Sequence, residues 1–456
     1  MALERFIFVQ PSTNDWIKRW GIDGSPIGAY VPVAGITQAC LSQKLQVDFL
    51  PDDGAAEAHL TGPLTQTIVG ITALTPTANR ASEIARRVIE NGGRVIIGGM
   101  DPSARTDWWL KEAQKIGIET KTKDRVTIIP GEIEGGSLAQ ALQAADAGRP
   151  FDLFYKTAPT DLTNIPLPSQ ETIKEITGAP YQRVSNSRGC PNKCEYCSVH
   201  LTAGLDKRVR PYQDVISELK ARDVLNQKEH QVTWTDDYFG GSGTIELLKK
   251  IVENGHHFPQ FIQPTIEMGR NAQMWELLNS IGPTLAQFGL ESPNRNRLIS
   301  AGVKSGKQDL DPIAIFNTIR EKNQNIAIGL NFMIGTDSEP LGKERFDELE
   351  AFIDACKPDR VIIGKYTPFP GTLTAKKLQE QGRIFDFNTD HYDGEHWVMR
   401  IKGRNIKGDL VDENTDEVDA YLDPFKARLN EKVALWSRLR DMKMNGFNVF
   451  SGGYVI

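Results

Sequence analysis

Three cysteines, Cys190, Cys194 and Cys197, lie in one short segment with the spacing CxxxCxxC. Three thiolates this close can each bind one iron of a cubane [4Fe-4S] cluster and leave the fourth iron without a protein ligand. A small molecule can chelate that open iron and receive an electron from the cluster. Two alternatives remain: a zinc site with His200 as its fourth ligand, and a disulfide that leaves one thiol over.

An aromatic residue, Tyr196, precedes the last cysteine, and the whole segment resembles the signature of the radical S-adenosylmethionine (radical SAM) superfamily. The resemblance implies that the open iron holds the amino and carboxylate groups of SAM. The cluster electron would then cleave SAM to a 5′-deoxyadenosyl radical. The two other cysteines, Cys40 and Cys356, are isolated in the sequence, and we expect them to be small buried apolar residues.

Residues 1–150 alternate short apolar segments with amphipathic ones, which predicts an open parallel α/β sheet of Rossmann-like type. Ligands of such sheets bind at the carboxyl ends of the strands, where turn residues of this chain should meet. The predicted strands are Phe6–Val9, Leu45–Leu50, Thr67–Thr72, Arg94–Ile97 and Val126–Ile129, and the predicted helices are 28–43 and Asn79–Glu90.

The segments Val69–Ala81, Ile97–Gly99 and Pro130–Glu132, with Gly28 to Tyr30, resemble the cobalamin-binding domain fused to many radical SAM enzymes. The resemblance implies cofactor contacts from Leu74, Thr75, Thr77, Gly98, Gly99, Gly131 and Glu132. The sequence has no DxHxxG motif, so cobalamin would bind base-off, without an imidazole ligand from this domain. The alternative is a domain that keeps the fold but has lost the cofactor.

Residues 151–180 are predicted to be a linker, and residues 181–380 repeat strands and helices in a pattern that fits a six-fold partial barrel. The fold resembled is the (β/α)6 radical SAM core. That resemblance implies SAM contacts near the strand ends, from Tyr196, Asp236, Asp237, Glu291, Ser292, Asn331 and Gly335. Carboxylates suit the sulfonium and ammonium of SAM, although an acidic residue at a strand end is otherwise a common helix cap.

Residues 381–456 are predicted to form a small, mostly helical cap with a helix from Pro424 to Lys443. His391 and His396 could line a substrate pocket there, but they also fit ordinary packing. Tyr212, Tyr238 and Tyr366 are proton or hydrogen donors only by type, so no catalytic residue is assigned.

The chain has 456 residues and a net charge of −6, so it offers no basic field for a nucleic-acid backbone. No apolar run reaches the roughly 18 residues of a membrane span. We expect a cytoplasmic protein with a small-molecule substrate, supplied with electrons by a partner such as flavodoxin or ferredoxin.

The favoured hypothesis is an enzyme that cleaves SAM and uses cobalamin to methylate a carbon centre of a small molecule. An alternative keeps the radical but not the methyl transfer: dehydration, epimerisation or rearrangement of a hydroxylated molecule such as an aminoglycoside, with a cobalamin-free first domain. A third hypothesis is a regulator that binds cobalamin or a cluster without catalysis.

Overall fold

Two parallel sheets organise the protein in the computed structural model, which describes residues 3–11, 36, 40, 45–51, 58–122, 124–155, 157, 159–165, 181–226, 231–307 and 309–437. The strands are β1 (Arg5–Gln10), β2 (Gln46–Pro51), β3 (Thr67–Thr72), β4 (Arg94–Gly99), β5 (Val126–Pro130), β6 (Tyr181–Val184), β7 (Ser187–Arg188), β8 (Arg208–Val209), β9 (Gln231–Trp234), β10 (Gln260–Ile262), β11 (Thr284–Glu291), β12 (Ile326–Ile334), β13 (Arg360–Lys365), β14 (Lys402–Arg404) and β15 (Leu410–Asp412).

The α-helices are α1 (Ala78–Glu90), α2 (Met100–Ala104), α3 (Thr106–Glu119), α4 (Ser137–Asp146), α5 (Val199–Ala203), α6 (Tyr212–Ala221), α7 (Ser242–Glu253), α8 (Ala272–Ile281), α9 (Arg295–Ser300), α10 (Pro312–Lys322), α11 (Gly342–Cys356), α12 (Leu373–Glu380) and α13 (Thr415–Trp436). Single 3-10 turns lie at Thr75–Thr77, Ile133–Gly135, Leu162–Asn164, Ile266–Arg270 and Thr389–His391.

The first sheet has the order β2-β1-β3-β4-β5, and all its strand pairs are parallel. Both faces are covered, as parallel sheets require. Ile7 and Val9 point into one apolar core, while Phe6 and Phe8 point into the core on the opposite face. The predicted Rossmann-like α/β architecture is confirmed, and the predicted helix 28–43 lies outside the described residues except at positions 36 and 40.

The second sheet has six parallel strands in the order β6-β9-β10-β11-β12-β13, which confirms the six-fold pattern. The predicted strand Phe261–Ile266 is wrong in its extent. The strand ends at Ile262, and a 3-10 turn begins at Ile266. Pro264 lies between them and has no N–H to donate to a ladder, so the strand cannot continue through it.

The region after residue 381 contains the β14–β15 hairpin and the long helix α13. This helix begins at Thr415, nine residues before the predicted start at Pro424, because Asn414 caps it by accepting a hydrogen bond from Asp416 N (2.9 Å). Pro424 is therefore inside the helix. Residues 438–443 of the predicted helix lie outside the described residues.

Candidate active site between the two sheets

The segment that carries the cysteines begins at Gly189, a position where only a residue without a side chain fits. Gly189 has φ +87°, and a Cβ there would collide with the carbonyl of Asp206. Its N–H donates to a carboxylate oxygen of Asp237 at 2.8 Å. Cys190 N donates to Gly204 O at 3.2 Å. The cysteine segment is thus fixed at its start by backbone contacts.

A second segment, Gly302 to Ser305, holds the middle of the cysteine segment. Glu195 N donates to Val303 O (2.9 Å), and Lys193 N donates to Ser305 Oγ (2.8 Å). Ser305 N in turn donates to Cys194 Sγ at 3.3 Å. Hydrogen bonds to cysteine sulfur are one means by which proteins tune iron–sulfur clusters.

The three cysteines fit a cluster in their chemistry and burial. Cys194 is buried and the other two are partly buried. Burial, with a smaller contribution from neighbouring Cys194 and Cys190, raises the pKa of Cys197 to about 11. Thiolates placed like this need a bound cation to become stable. Among the described residues no three Cys, His, Asp or Glu side chains are close enough to hold one metal ion together, whereas a cubane spreads its three thiolates over three irons.

Two of the predicted SAM contacts, Tyr196 and Glu291, lie together beside this segment. Tyr196 Oη is 3.3 Å from Glu291 Oε1, and Lys304 Nζ is 3.1 Å and 3.3 Å from those two atoms. Glu291 has φ +68° and lies where the register between β11 and β12 shifts. A non-glycine residue in this backbone region is a common mark of a functional site. Sequence reasoning missed Lys304, which has no motif of its own.

Asp236 and Asp237 are adjacent but have different surroundings. Asp237 lines the cavity described below and holds Gly189. Asp236 is buried, and its oxygens accept hydrogen bonds from Asn186 N (3.1 Å) and Ser187 Oγ. Burial raises the pKa of Asp236 to about 6. The structure therefore gives Asp236 the task of holding the chain ahead of the cysteines.

Three other predicted SAM contacts, Ser292, Asn331 and Gly335, lie against other residues of the protein. Ser292 Oγ accepts from Asn294 N (3.2 Å), and Asn331 Oδ1 accepts from Gln287 Nε2 (2.8 Å). A Cβ on Gly335 would lie 2.6 Å from the ring of Trp397. Trp397 covers the end of β12 and occupies the space next to Gly335.

A cavity of about 240 Å³ lies at the carboxyl edge of the first sheet and reaches the cysteine segment. Its sheet side is apolar and rich in glycine, with Phe6, Phe8, Gly70 and Ile96. Its opposite side carries residues just before and after the cysteines: Arg188, Val199, Thr202 and Ala203. One ligand in this cavity would therefore contact both halves of the protein.

Some of the predicted cobalamin contacts line this cavity and others do not. Five of them line it: Leu74, Gly98, Gly99, Gly131 and Glu132. The two threonines are engaged within the first domain instead: Thr75 Oγ1 donates to Asp101 Oδ1 (2.8 Å), and Thr77 Oγ1 donates to Leu74 O (3.2 Å). They shape the loop that carries Leu74.

Glu132 forms the main ionic contact between the first domain and the barrel. Arg208 donates to both of its oxygens at 2.7 Å, and Thr160 N donates at 2.6 Å. Burial alone would raise the pKa of Glu132, but these hydrogen bonds and the charges of Arg188 and Arg208 lower it. Arg188 also donates to Glu134 at 2.6 Å. The two arginines and Glu134 were missed, although both arginines lie close to the cysteine motif in sequence.

The His391 and His396 rings stack with their centroids 4.8 Å apart, and each ring has its own aspartate partner, Asp386 and Asp393. The same segment reaches the first domain, since Asn79 Nδ2 donates to Asn388 Oδ1 at 3.1 Å.

Within the described part of the chain, no helix has the length and apolarity that a bilayer crossing requires.

Comparison with known proteins shows similarities to methyltransferases in both sequence and fold. No protein-family profile matches the chain. The bacteriochlorophyllide d C-12(1)-methyltransferase of Chlorobaculum tepidum is 25% identical over 83% of this chain and 80% of its own length. An uncharacterized methyltransferase of Pyrococcus horikoshii is 23% identical over 88% of this chain and 89% of its own.

Among solved structures, the radical SAM methyltransferase TsrM from Kitasatospora setae, with tryptophan substrate and a SAM analogue bound, aligns with a TM-score of 0.62. The alignment covers 83% of this chain and 76% of TsrM at 16% identity, which shows a shared fold. A second structure of TsrM, with cobalamin and a [4Fe-4S] cluster bound, aligns with a TM-score of 0.59 over 84% of this chain, also at 16% identity. In sequence the chain is thus similar to methyltransferases, and in fold it is similar to a radical SAM methyltransferase.

Proposed function

We propose that the protein is a cobalamin-dependent radical SAM methyltransferase that methylates a carbon centre of a small molecule. The observation that carries this proposal is the shared cavity. Gly98 and Gly99 at the edge of the first sheet and Arg188 and Val199 beside the cysteines line the same space. A corrin held at the sheet edge would therefore lie next to the cluster and SAM.

Each cofactor has candidate residues in this structure. Cys190, Cys194 and Cys197 would hold the cluster, and Tyr196 and Glu291 would contact SAM beside it. When bound, the cluster supplies the electron that cleaves SAM to a 5′-deoxyadenosyl radical, and cobalamin carries the methyl group. The chain itself orients the cofactors and keeps water from them through the apolar wall of the cavity.

The cavity is lined mainly by apolar residues and includes the glycine-rich edge of the first sheet. Gly99 has φ +107°, and a Cβ there would lie 2.7 Å from Thr72 Oγ1 and 2.8 Å from Ala73 O, so the close approach to the end of β3 requires glycine at this edge. No histidine is among the described residues that line it. Cobalamin would then be held base-off, without an imidazole from this cavity.

A small-molecule substrate fits the net charge of −6 and the substrates that the names of similar proteins give, a bacteriochlorophyllide in one and tryptophan in another. A cluster of this type needs a low-potential one-electron donor, for which a flavodoxin or ferredoxin in a reducing cytoplasm is suited. The similar methyltransferases favour methyl transfer over dehydration, epimerisation or rearrangement.

A partial reaction tests the proposal without knowledge of the substrate. Anaerobically reconstituted protein, loaded with cluster and cobalamin, is reduced and incubated with SAM that carries a deuterated methyl group. We expect the label on the corrin and release of S-adenosylhomocysteine. Protein loaded with the cluster alone is the matched control and should release none. If 5′-deoxyadenosine accumulates while the corrin stays unlabelled, the methyl-transfer proposal is wrong.

A further inference from the structure

The segment Gly302 to Ser305 contacts the cysteine segment through three hydrogen bonds, one of which reaches a cysteine sulfur. Besides the two backbone-positioning contacts to Lys193 and Glu195, it points one N–H at the sulfur of Cys194 (3.3 Å). The same segment also carries Lys304, whose side chain reaches the cysteine segment. Lys304 Nζ lies 3.1 Å from Tyr196 Oη, and Tyr196 is the residue before Cys197.

Lys304 and Glu291 form an ion pair that is shielded from water. The two side chains are 11% and 14% exposed, and their charged atoms are 3.3 Å apart. Tyr196 Oη lies within 3.3 Å of both charged atoms, so the three polar groups form one triangle beside the cysteines. Charges in such a partly dry place act more strongly on a neighbouring ion than surface charges do.

We propose that Lys304 is a positioning residue that, together with Glu291, sets the reduction potential of the cluster held by Cys190, Cys194 and Cys197. This inference rests on the proposed function, since it needs the cluster to bind. A cluster with three thiolate ligands becomes more negative when it takes an electron. A nearby cation stabilises that reduced state and raises the potential, a nearby carboxylate lowers it, and the Ser305 N–H donated to sulfur acts with the cation.

The test measures the midpoint potential of the reconstituted cluster in the absence of SAM, by a redox titration followed by electron paramagnetic resonance. We expect Lys304→Met to move the potential to more negative values and Glu291→Gln to move it to less negative values. The double variant should return toward the wild-type potential, and Lys304→Arg should stay close to it. Lys307→Met, which changes an exposed lysine of the same loop, is the matched control and should leave the potential unchanged.

Opposite shifts in the two single variants, with full iron content, support the inference, because a merely structural role would not reverse its sign with the charge removed. Equal potentials in all variants with full iron content overturn it. If Lys304→Met loses iron, the Glu291→Gln shift and the Lys304→Arg potential still decide the question. Failure of the wild-type protein to take up a cluster would instead overturn the proposed function.

Discussion

The two sides of the interdomain cavity are built in opposite ways. The first sheet presents an apolar surface with glycines at its edge, and few of its polar groups face the cavity. The cysteine segment is fixed by hydrogen bonds from several parts of the barrel, including Asp237, Val303 and Ser305. One side provides space for a ligand, and the other provides rigid positions for metal ligands.

This difference follows from what each cofactor needs. A large organic cofactor gains affinity from apolar contact and room for its bulk. A cluster needs a few sulfur atoms at fixed positions with their surroundings already ordered. We therefore expect variants on the sheet side to act on corrin binding alone, and variants of the cysteine segment to act on iron.

The largest expected effect is on the cluster side. Cys194→Ala removes one of the three thiolates, so we expect almost complete loss of bound iron and of SAM cleavage, measured by iron analysis and 5′-deoxyadenosine formation. Cys356→Ala, at the buried last residue of α11, is the matched control and should keep its iron. Normal iron in Cys194→Ala would contradict the assignment of the motif.

A variant on the sheet side should separate the two cofactors. Gly98 lines the cavity, and a Cβ there would lie 3.0 Å from Ile129 O and 4.0 Å from Ile133 Cγ2, which also lines it, so the Gly98→Val side chain crowds this edge. Overfilling costs about 1–3 kcal/mol, which weakens cobalamin binding by about 5-fold to 150-fold. Titration of the reconstituted protein with hydroxocobalamin measures this effect.

In the same Gly98→Val protein, iron content should remain at the wild-type level. Ile118→Ala, at an exposed position of α3, serves as the control and should alter neither cofactor. Equal cobalamin affinity in Gly98→Val and the wild type would show that the ligand does not use this edge.

The ionic contact between the two sides should contribute to stability. Glu132→Gln leaves the Arg208 guanidinium without its carboxylate partner in a largely buried place, which costs about 3 kcal/mol. We expect a lower urea midpoint of unfolding. Glu119→Gln, which breaks a much more exposed pair with Arg86, should change it far less. Equal shifts in the two variants would contradict an interdomain role for Glu132.

The smallest effect is expected far from the cavity, where α13 docks on α11. Hydrogen bonds from Arg428 and Lys432 lower the pKa of Glu350 to about 2. A carboxyl whose folded pKa is depressed adds stability above its unfolded pKa of about 4.5 and loses that stability as the pH falls toward 2. At this half-exposed site we expect less than about 1 kcal/mol.

Thermal unfolding of Glu350→Gln should accordingly differ from the wild type at pH 7, and the difference should shrink steadily below pH 4.5. Glu431→Gln, at an exposed position of α13, is the control. A difference that is independent of pH would show that the Glu350 charge does not act through this pair.

Sequence alone was sufficient to predict the fold and to single out the cysteine motif as a candidate cluster site, because short-range patterns determine both. The alternation of apolar segments follows from burial of both sheet faces, and the CxxxCxxC spacing is local. Long-range pairs were not predictable: Lys304 meets Tyr196 across 108 residues, and Arg208 meets Glu132 across 76. A strand-end position also does not show which of the two adjacent carboxylates, Asp236 or Asp237, is the more buried.

The central claim is that one cavity brings a corrin next to a cluster, and cofactor stoichiometry tests it most directly. The protein is reconstituted anaerobically with iron, sulfide and hydroxocobalamin, desalted, and analysed for iron, cobalt and visible absorbance. The account predicts about four irons and one cobalt per chain, with a corrin absorption band. Full iron without cobalt would contradict it.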